Sequence, residues 1–133
     1  LWEQATRSPL LVVAPGVTKP GTVCRRTVDF MGIYPTVCDL CGVAPPPHVQ
    51  GASFKPLLAN PDAAWESPAV TTYLPNNHAV RTERWRYIRY ANGDEELYDH
   101  AADPKEWANV AADPKFAAVK AELAKRLPTE NAP

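Results

Sequence analysis

Apolar and polar positions alternate most cleanly between Trp85 and Tyr90, where Trp85, Tyr87 and Arg89 interleave with Arg86, Ile88 and Tyr90. Side chains that alternate in this way stand on opposite faces of a strand, so the run predicts a strand with one face on a core and the other partly wet. A second strand-like run, Glu95 to Tyr98, follows Ala91-Asn92-Gly93-Asp94. Asn-Gly between two such runs predicts a hairpin whose two central residues take φ > 0. Ala69 to Leu74 and Ala79 to Glu83 read as further strands, giving an antiparallel sheet of about four strands. The helical period takes over at Asp113, a good N-cap, and Pro114, a good first residue. From there Phe116, Val119, Leu123 and Leu127 fall on one stripe, predicting a helix from Pro114 to Leu127 that packs on the sheet. The tail after Pro128 reads as frayed.

The first half is patterned differently. Leu10 to Ala14 (LLVVA) is continuously apolar, bounded by Pro9 and by Pro15-Gly16. A run without alternation suits a central parallel strand covered on both faces. The chain does not contain the helices and strands such a cover requires, so a larger neighbouring body is expected. Val23 to Val28 reads as a short extended segment. Asp29 to Gly42 carries a helical pattern: Asp29 as cap, Pro35 in the first turn, Val37, Leu40 and Cys41 on one face, Gly42 as the stop. Ala44 to Val49 contains consecutive prolines and must be loop or polyproline. Ala52 to Leu58 reads as a turn or a single helical turn. Residues 1–62 are therefore expected to be the end of an α/β domain, and residues 63–133 a subdomain that is locally α+β.

Composition narrows the function classes. At 133 residues the chain fits one domain, or one domain with a piece of another. Its 15 prolines imply long extended connections. A formal charge of -1 with interspersed signs gives no electrostatic draw to nucleic acid or to an anionic membrane. No apolar run approaches the roughly 18 residues of a membrane span. Leu1-Trp2-Glu3 is no signal-peptide start, and the expectation is that further chain precedes it. Cys38-Asp39-Leu40-Cys41 has redox or zinc-ligand spacing but no second pair, so Cys24, Cys38 and Cys41 are read as small buried apolar residues.

Several segments, in order, resemble the sulfatase family, most closely its iduronate-2-sulfatase-like branch. Leu1 to Leu10 is similar to the segment LWEEATRVPL. Val28-Asp29-Phe30 and Tyr34-Pro35-Thr36 through Gly42 resemble the family's VDL…YPTLLDLAG helix. Gly51-Ala52-Ser53-Phe54 with Pro56-Leu57-Leu58 resembles its G-x-S-F-x-P-L-L turn. Arg81 to Ile88, Glu96-Leu97-Tyr98-Asp99, Asp103-Pro104, Glu106 and Asn109 resemble its C-terminal signature.

The resemblance implies an alkaline-phosphatase-like α/β fold and hydrolysis of sulfate esters, plausibly of sulfated sugars. It also implies a formylglycine made from a cysteine in a C-x-P/S-S-R context and a calcium ion held by carboxylates. A geminal diol attacks sulfur, a cation offsets developing charge, and acids protonate the leaving oxygen. Neither Cys24, Cys38 nor Cys41 has that context, so no catalytic residue and no metal ligand is expected in this chain, and no turnover from it alone. Asp99-His100 resembles the family's calcium-binding Asp-His pair but lacks the following Gly. The expected partners are the upstream sulfatase portion, on the same or a separate chain, and a sulfated sugar. Export is the expected location. A non-catalytic light chain or interaction module, and a piece of a phosphonate monoester hydrolase, are the rival readings.

Candidate rim residues follow from the same resemblance. His78, in a loop entering Ala79, can hydrogen-bond a sulfated sugar and titrate near neutral pH. Tyr73 and Asn77 lie on the same approach, and Trp2 is a candidate pocket-lining residue. Arg7 is expected to meet a carboxylate across the domain junction. Arg81, Arg84, Arg86 and Arg89, close in sequence to Glu83, Asp94, Glu95 and Glu96, read as a solvated, paired sheet face. His48 is expected to face solvent and His100 to cap a turn.

Overall fold

A computed structural model describes residues 1–131, so the end of the tail expected to fray lies outside the described residues. The chain divides into two compact units: Leu1–Ser8 with the chain from Pro68 on, and Pro9–Ser67. The division thus lies five residues after the expected 62/63 position, and the first eight residues belong with the sheet. Trp65 accounts for part of the shift, because its indole donates to Thr27 O at 2.9 Å and ties residues beyond 62 to the Pro9–Ser67 unit.

The first unit is built on four antiparallel strands in the order β1-β2-β3-β4: β1 Ala69–Thr72, β2 His78–Arg81, β3 Trp85–Arg89 and β4 Glu95–Asp99. The register places Val70, Val80, Tyr87 and Leu97 side by side across the sheet. This face is covered by the helical stripe: Leu123 and Leu127 are buried against it, with Phe116 and Val119 packed alongside. Trp85 meets Phe116 edge-on, ring centroids 5.3 Å apart. The helix is shorter than its stripe. A 3-10 turn at Pro114–Phe116 precedes α4, Ala117–Ala124. Asp113 caps that turn, its carboxylate accepting from Lys115 N–H at 2.9 Å.

The opposite face carries Ala79, Ile88 and Tyr98, with Leu1 and Tyr90 packed against them. The sheet is therefore covered on both sides, the second cover coming from the N-terminal segment and its short helix α1, Glu3–Thr6.

The β3–β4 connection differs from expectation in an informative way. Gly93 has φ 90, but Asn92 is not in the left-handed region. Gly93 N–H donates to Tyr90 O at 3.0 Å and Tyr90 N–H to Asp94 O at 2.9 Å. This is a three-residue loop, an ordinary turn closed by a glycine bulge, so only one residue carries the left-handed conformation. Asn92 instead receives Asp94 N–H on its side-chain oxygen at 3.0 Å.

The Pro9–Ser67 unit holds a 3-10 turn at Phe30–Gly32, α2 at Ile33–Leu40 and α3 at Lys55–Ala59. Its buried centre is Phe54 and Leu57, 3% and 4% exposed. Thr36 organises this centre: its hydroxyl donates to Gly32 O at 2.6 Å and accepts from Phe54 N–H at 2.9 Å. That commitment turns Pro35 and Thr36 inward and leaves Val37 and Cys41 exposed, which reverses the expected helix face. Asp29 occupies the cap position of the 3-10 turn without a side-chain cap bond. The reading of the cysteines as buried is corrected as well: all three are free thiols, Cys24 and Cys41 exposed and Cys38 partly so.

Leu10–Ala14 is not a strand in this unit, nor is Val23–Val28. Leu11 and Val13 are 87% and 89% exposed. No neighbouring strand of the unit pairs with the LLVVA backbone, and a strand exists only where its N–H and C=O groups find such partners. Among the described residues no helix is long and apolar enough to cross a membrane.

Candidate functional site

The most organised group of polar side chains lies in the sheet unit, where the N-terminal segment crosses the second face. Period-two alternation puts Arg86 on the same face as Ile88, so its guanidinium is buried under that segment, at 2% exposure. It donates from Nε to Glu106 Oε1 at 2.5 Å, from Nη2 to Glu3 Oε2 at 2.5 Å and from Nη1 to Leu1 O at 3.0 Å. Arg81, its cross-strand neighbour, donates from Nε to Glu3 Oε2 at 3.1 Å. The Glu106 carboxylate also accepts Glu3 N–H at 2.7 Å. Glu106 reaches inward from a residue held at φ 59, an unusual conformation for a side chain of this size.

His100 closes the group. Arg81 Nη2 lies 2.9 Å from His100 Nδ1, and a guanidinium can only donate. Nδ1 is therefore the acceptor, and the ring proton sits on Nε2, which donates to Glu106 Oε1 at 2.7 Å. Two guanidinium and two carboxylate charges cancel. Burial works to raise the Glu3 pKa, but the hydrogen bonds and charges of Arg81 and Arg86 outweigh it and hold the carboxyl below its ordinary value.

Glu3, His100 and Glu106 offer ligand atoms all within 4.8 Å of one another, the geometry of a metal site. The surroundings argue against one. Both carboxylates are already engaged by the buried Arg86, and Glu3 by the partly buried Arg81 as well, and this positive charge would oppose an ion. Calcium in particular takes about six to eight oxygens, and an imidazole is a poor substitute. The calcium implied for the intact enzyme does not fit these residues, nor do Asp99 and His100 form a pair for it. Asp99 is held instead by Arg84, which donates at 2.9 and 2.7 Å, and this bidentate pairing depresses the Asp99 pKa.

The expected rim residues are scattered over the unit. His78 is the first residue of β2, not part of a loop, and is 3% exposed. Its Nδ1 lies 2.8 Å from Thr72 Oγ1. Burial and the nearby Arg89 charge lower its pKa. Tyr73 is 68% exposed in the β1–β2 loop. Asn77 spans two loops, accepting Ala91 N–H at 3.1 Å and donating to Pro75 O at 3.0 Å. Trp2 donates from its indole to Glu96 at 2.6 Å. Arg7 lies 3.9 Å from the Glu3 carboxylate, one helical turn back. The buried group departs from the expected solvated face: Arg81 and Arg86 turn inward, and strand alternation alone places Arg86 on a covered face. Arg84, paired with Asp99 and 58% exposed, is the solvated ion pair expected.

This clasped four-strand sheet with its packed helix has clear relatives. Residues 1–132 match the family described as N-sulphoglucosamine sulphohydrolase, C-terminal. The chain belongs to that family. A sulfatase of Formosa agariphila is 38% identical over 132 residues, covering 99% of the chain and 26% of the relative. An N-acetylglucosamine-6-O-sulfatase of Bacteroides thetaiotaomicron is 33% identical, covering 96% of the chain and 25% of the relative. Among solved structures, a protein in complex with its substrate D-glucosamine-2-N,6-O-disulfate aligns with a TM-score of 0.56 and 32% identity, over 68% of this chain and 21% of that one. The phosphonate monoester hydrolase of Agrobacterium radiobacter aligns with a TM-score of 0.56 and 30% identity, over 71% and 23%. This chain is thus a sulfatase C-terminal portion, as the sequence resemblance implied. It spans about a quarter of the length of the curated relatives it matches.

Proposed function

We propose that this chain is the C-terminal part of an enzyme that hydrolyses sulfate esters of sugars. In this reading its two units complete and brace a catalytic body supplied by the upstream part, on the same or a separate polypeptide. The observation that carries the reading is the match to sulfatase C-terminal regions over residues 1–132 by a chain whose cysteines all lack the formylglycine context. Formylglycine would supply the attacking oxygen and calcium the compensating charge, both from upstream. The residues of this chain bind, orient and enclose. The Arg86 clasp fixes the segment Leu1–Ser8 against the sheet, and with it the point at which upstream chain would enter. Export of the intact enzyme is part of the same proposal.

A rival substrate class is favoured by the likeness to the phosphonate monoester hydrolase. A panel separates the two. The full-length enzyme, given glucosamine 6-sulfate, an aryl sulfate and an aryl phosphonate monoester, is expected to turn over the sulfate esters at least tenfold faster in kcat/KM. Preference for the phosphonate would overturn the sulfatase reading. A stable monomer of this chain that never associates with a larger polypeptide would favour an independent module.

A further inference from the structure

Asn92-Gly93 is the only Asn-Gly pair in the sequence. The pair is reactive in kind: a side-chain carboxamide stands beside a backbone nitrogen that no side chain shields. Nothing lies within 4 Å of where a Gly93 Cβ would be. A nitrogen so placed attacks the carboxamide carbon and closes a five-membered imide. The β3–β4 loop, however, holds both reactants in bonds that the attack must break. Gly93 N–H donates to Tyr90 O at 3.0 Å, which commits the proton that the nitrogen has to lose. The Asn92 amide is clamped at both ends, Oδ1 accepting Asp94 N–H at 3.0 Å and Nδ2 donating to Asp94 Oδ2 at 2.7 Å. Asn77 Oδ1 accepts Ala91 N–H at 3.1 Å and fixes the residue before the pair. Side-chain bonds of this local kind compete with other backbone conformations and so hold the turn in one of them.

We propose that Asn92 is a modification site, converted by water to aspartate or isoaspartate, and that Asp94 is the residue that sets its rate. In the first step Gly93 N loses its proton and bonds to Asn92 Cγ, while the Cγ–Nδ2 bond breaks and Nδ2 leaves as ammonia. One water then opens the imide. Cleavage at the Cγ carbonyl gives aspartate, and cleavage at the main-chain carbonyl gives isoaspartate. No electrons are exchanged and water is the only co-reactant. The clamp confines the reaction to moments when the loop opens locally, so its rate follows the open fraction. The product also favours the open loop. A carboxylate replaces the Nδ2 group that donates to Asp94, so two like charges meet where a hydrogen bond stood. Isoaspartate adds one backbone atom to a three-residue loop whose ends are joined by the bond from Tyr90 N–H to Asp94 O. Conversion is therefore an irreversible record of hairpin opening.

The test incubates the full-length enzyme at neutral pH and follows aspartate and isoaspartate at position 92 by peptide-mapping mass spectrometry, beside a free peptide of residues 88–97. The folded wild type is expected to convert at least about tenfold more slowly than the peptide. Asp94→Ala releases the Asn92 amide and is expected to convert roughly three- to tenfold faster than wild type, the size of one net hydrogen bond. Asp94→Asn keeps an acceptor without the charge and should fall between the two. Hydrogen exchange at the Gly93 amide reads the opening directly and should accelerate in the same order. Conversion of the folded wild type at the peptide's rate would overturn the proposal. So would equal conversion and equal Gly93 exchange in wild type and Asp94→Ala, or an Asn92 that stays intact in Asp94→Ala while the peptide converts. None of these readouts is turnover, so the outcome stands apart from the sulfatase reading.

Discussion

Arg86 shows how one residue sets the character of its surroundings. Its side chain and that of Glu106 are each 2% exposed, so neither charge tolerates the loss of the other. Arg86→Met is expected to destabilise the chain by about 3–5 kcal/mol in urea titration, since it leaves the buried Glu106 carboxylate without its guanidinium partner. Arg86→Lys keeps the charge but loses the three-way fork and should fall between. A cost under about 1 kcal/mol for Arg86→Met would mean that the clasp is solvated. A second residue-scale expectation concerns acid. His78 has a depressed pKa from burial and Arg89, so the unfolded chain binds the proton more readily. Its contribution is present above the unfolded value of about 6.5 and is lost as pH falls from there toward the folded value. Glu3 and Asp99 are depressed carboxyls, and their contributions are lost only as pH falls below the ordinary carboxylate range. Melting temperature should therefore decline in two stages, with His78→Gln removing the upper stage and sparing the lower. A single stage in the wild type would contradict this.

At the scale of elements, the sheet and its helix were legible in the sequence because each is specified by local chemistry. Trp85 to Arg89 alternates, Asp113 caps, and Leu123 and Leu127 continue a stripe; all three features appear where the pattern puts them. The hairpin loop was legible as a turn but not as a type, because Asn-Gly serves both the two-residue turn and the bulged three-residue loop. Gly93→Ala should cost about 1 kcal/mol at φ 90, whereas Asn92→Ala should lose only its side-chain bonds with Asp94. Comparable large losses at both positions would restore the tighter turn. The clasp was not legible, since Glu3, Arg86 and Glu106 are far apart in sequence and only the fold brings them together. The helix face of α2 was misread for a related reason. Thr36 carries a hydroxyl, which a hydropathy pattern sends outward, yet its bonds to Gly32 and Phe54 draw it inward. Gly51 sits in the same unit at φ 98, with the Met31 carbonyl 2.5 Å from where a Cβ would be. No other residue fits there without moving that backbone.

For the whole molecule, the informative feature is what the fold leaves uncovered. The sheet unit covers both its faces. The Pro9–Ser67 unit presents Leu11, Val13, Phe30, Met31, Tyr34 and Val37 to solvent. Under the proposed function these apolar side chains are surface that the upstream part covers. Under the proposed function the LLVVA run becomes a paired interior strand only in the presence of the upstream part. Amide hydrogen exchange at 10–14 should accordingly be fast in the chain alone and slow in the full-length enzyme, while Val80 and Ile88 remain protected in both. Equal, slow exchange at 10–14 in the isolated chain would show that the run is already paired.

The most direct measurement is turnover of an aryl sulfate by the purified chain alone, beside the same chain joined to or mixed with its upstream part. The expected result is no hydrolysis by the chain, at any pH between about 5 and 8, and hydrolysis once the upstream part is present. Sulfate release by the chain alone, scaling with its concentration and surviving removal of the formylglycine-forming machinery from the expression host, would contradict it.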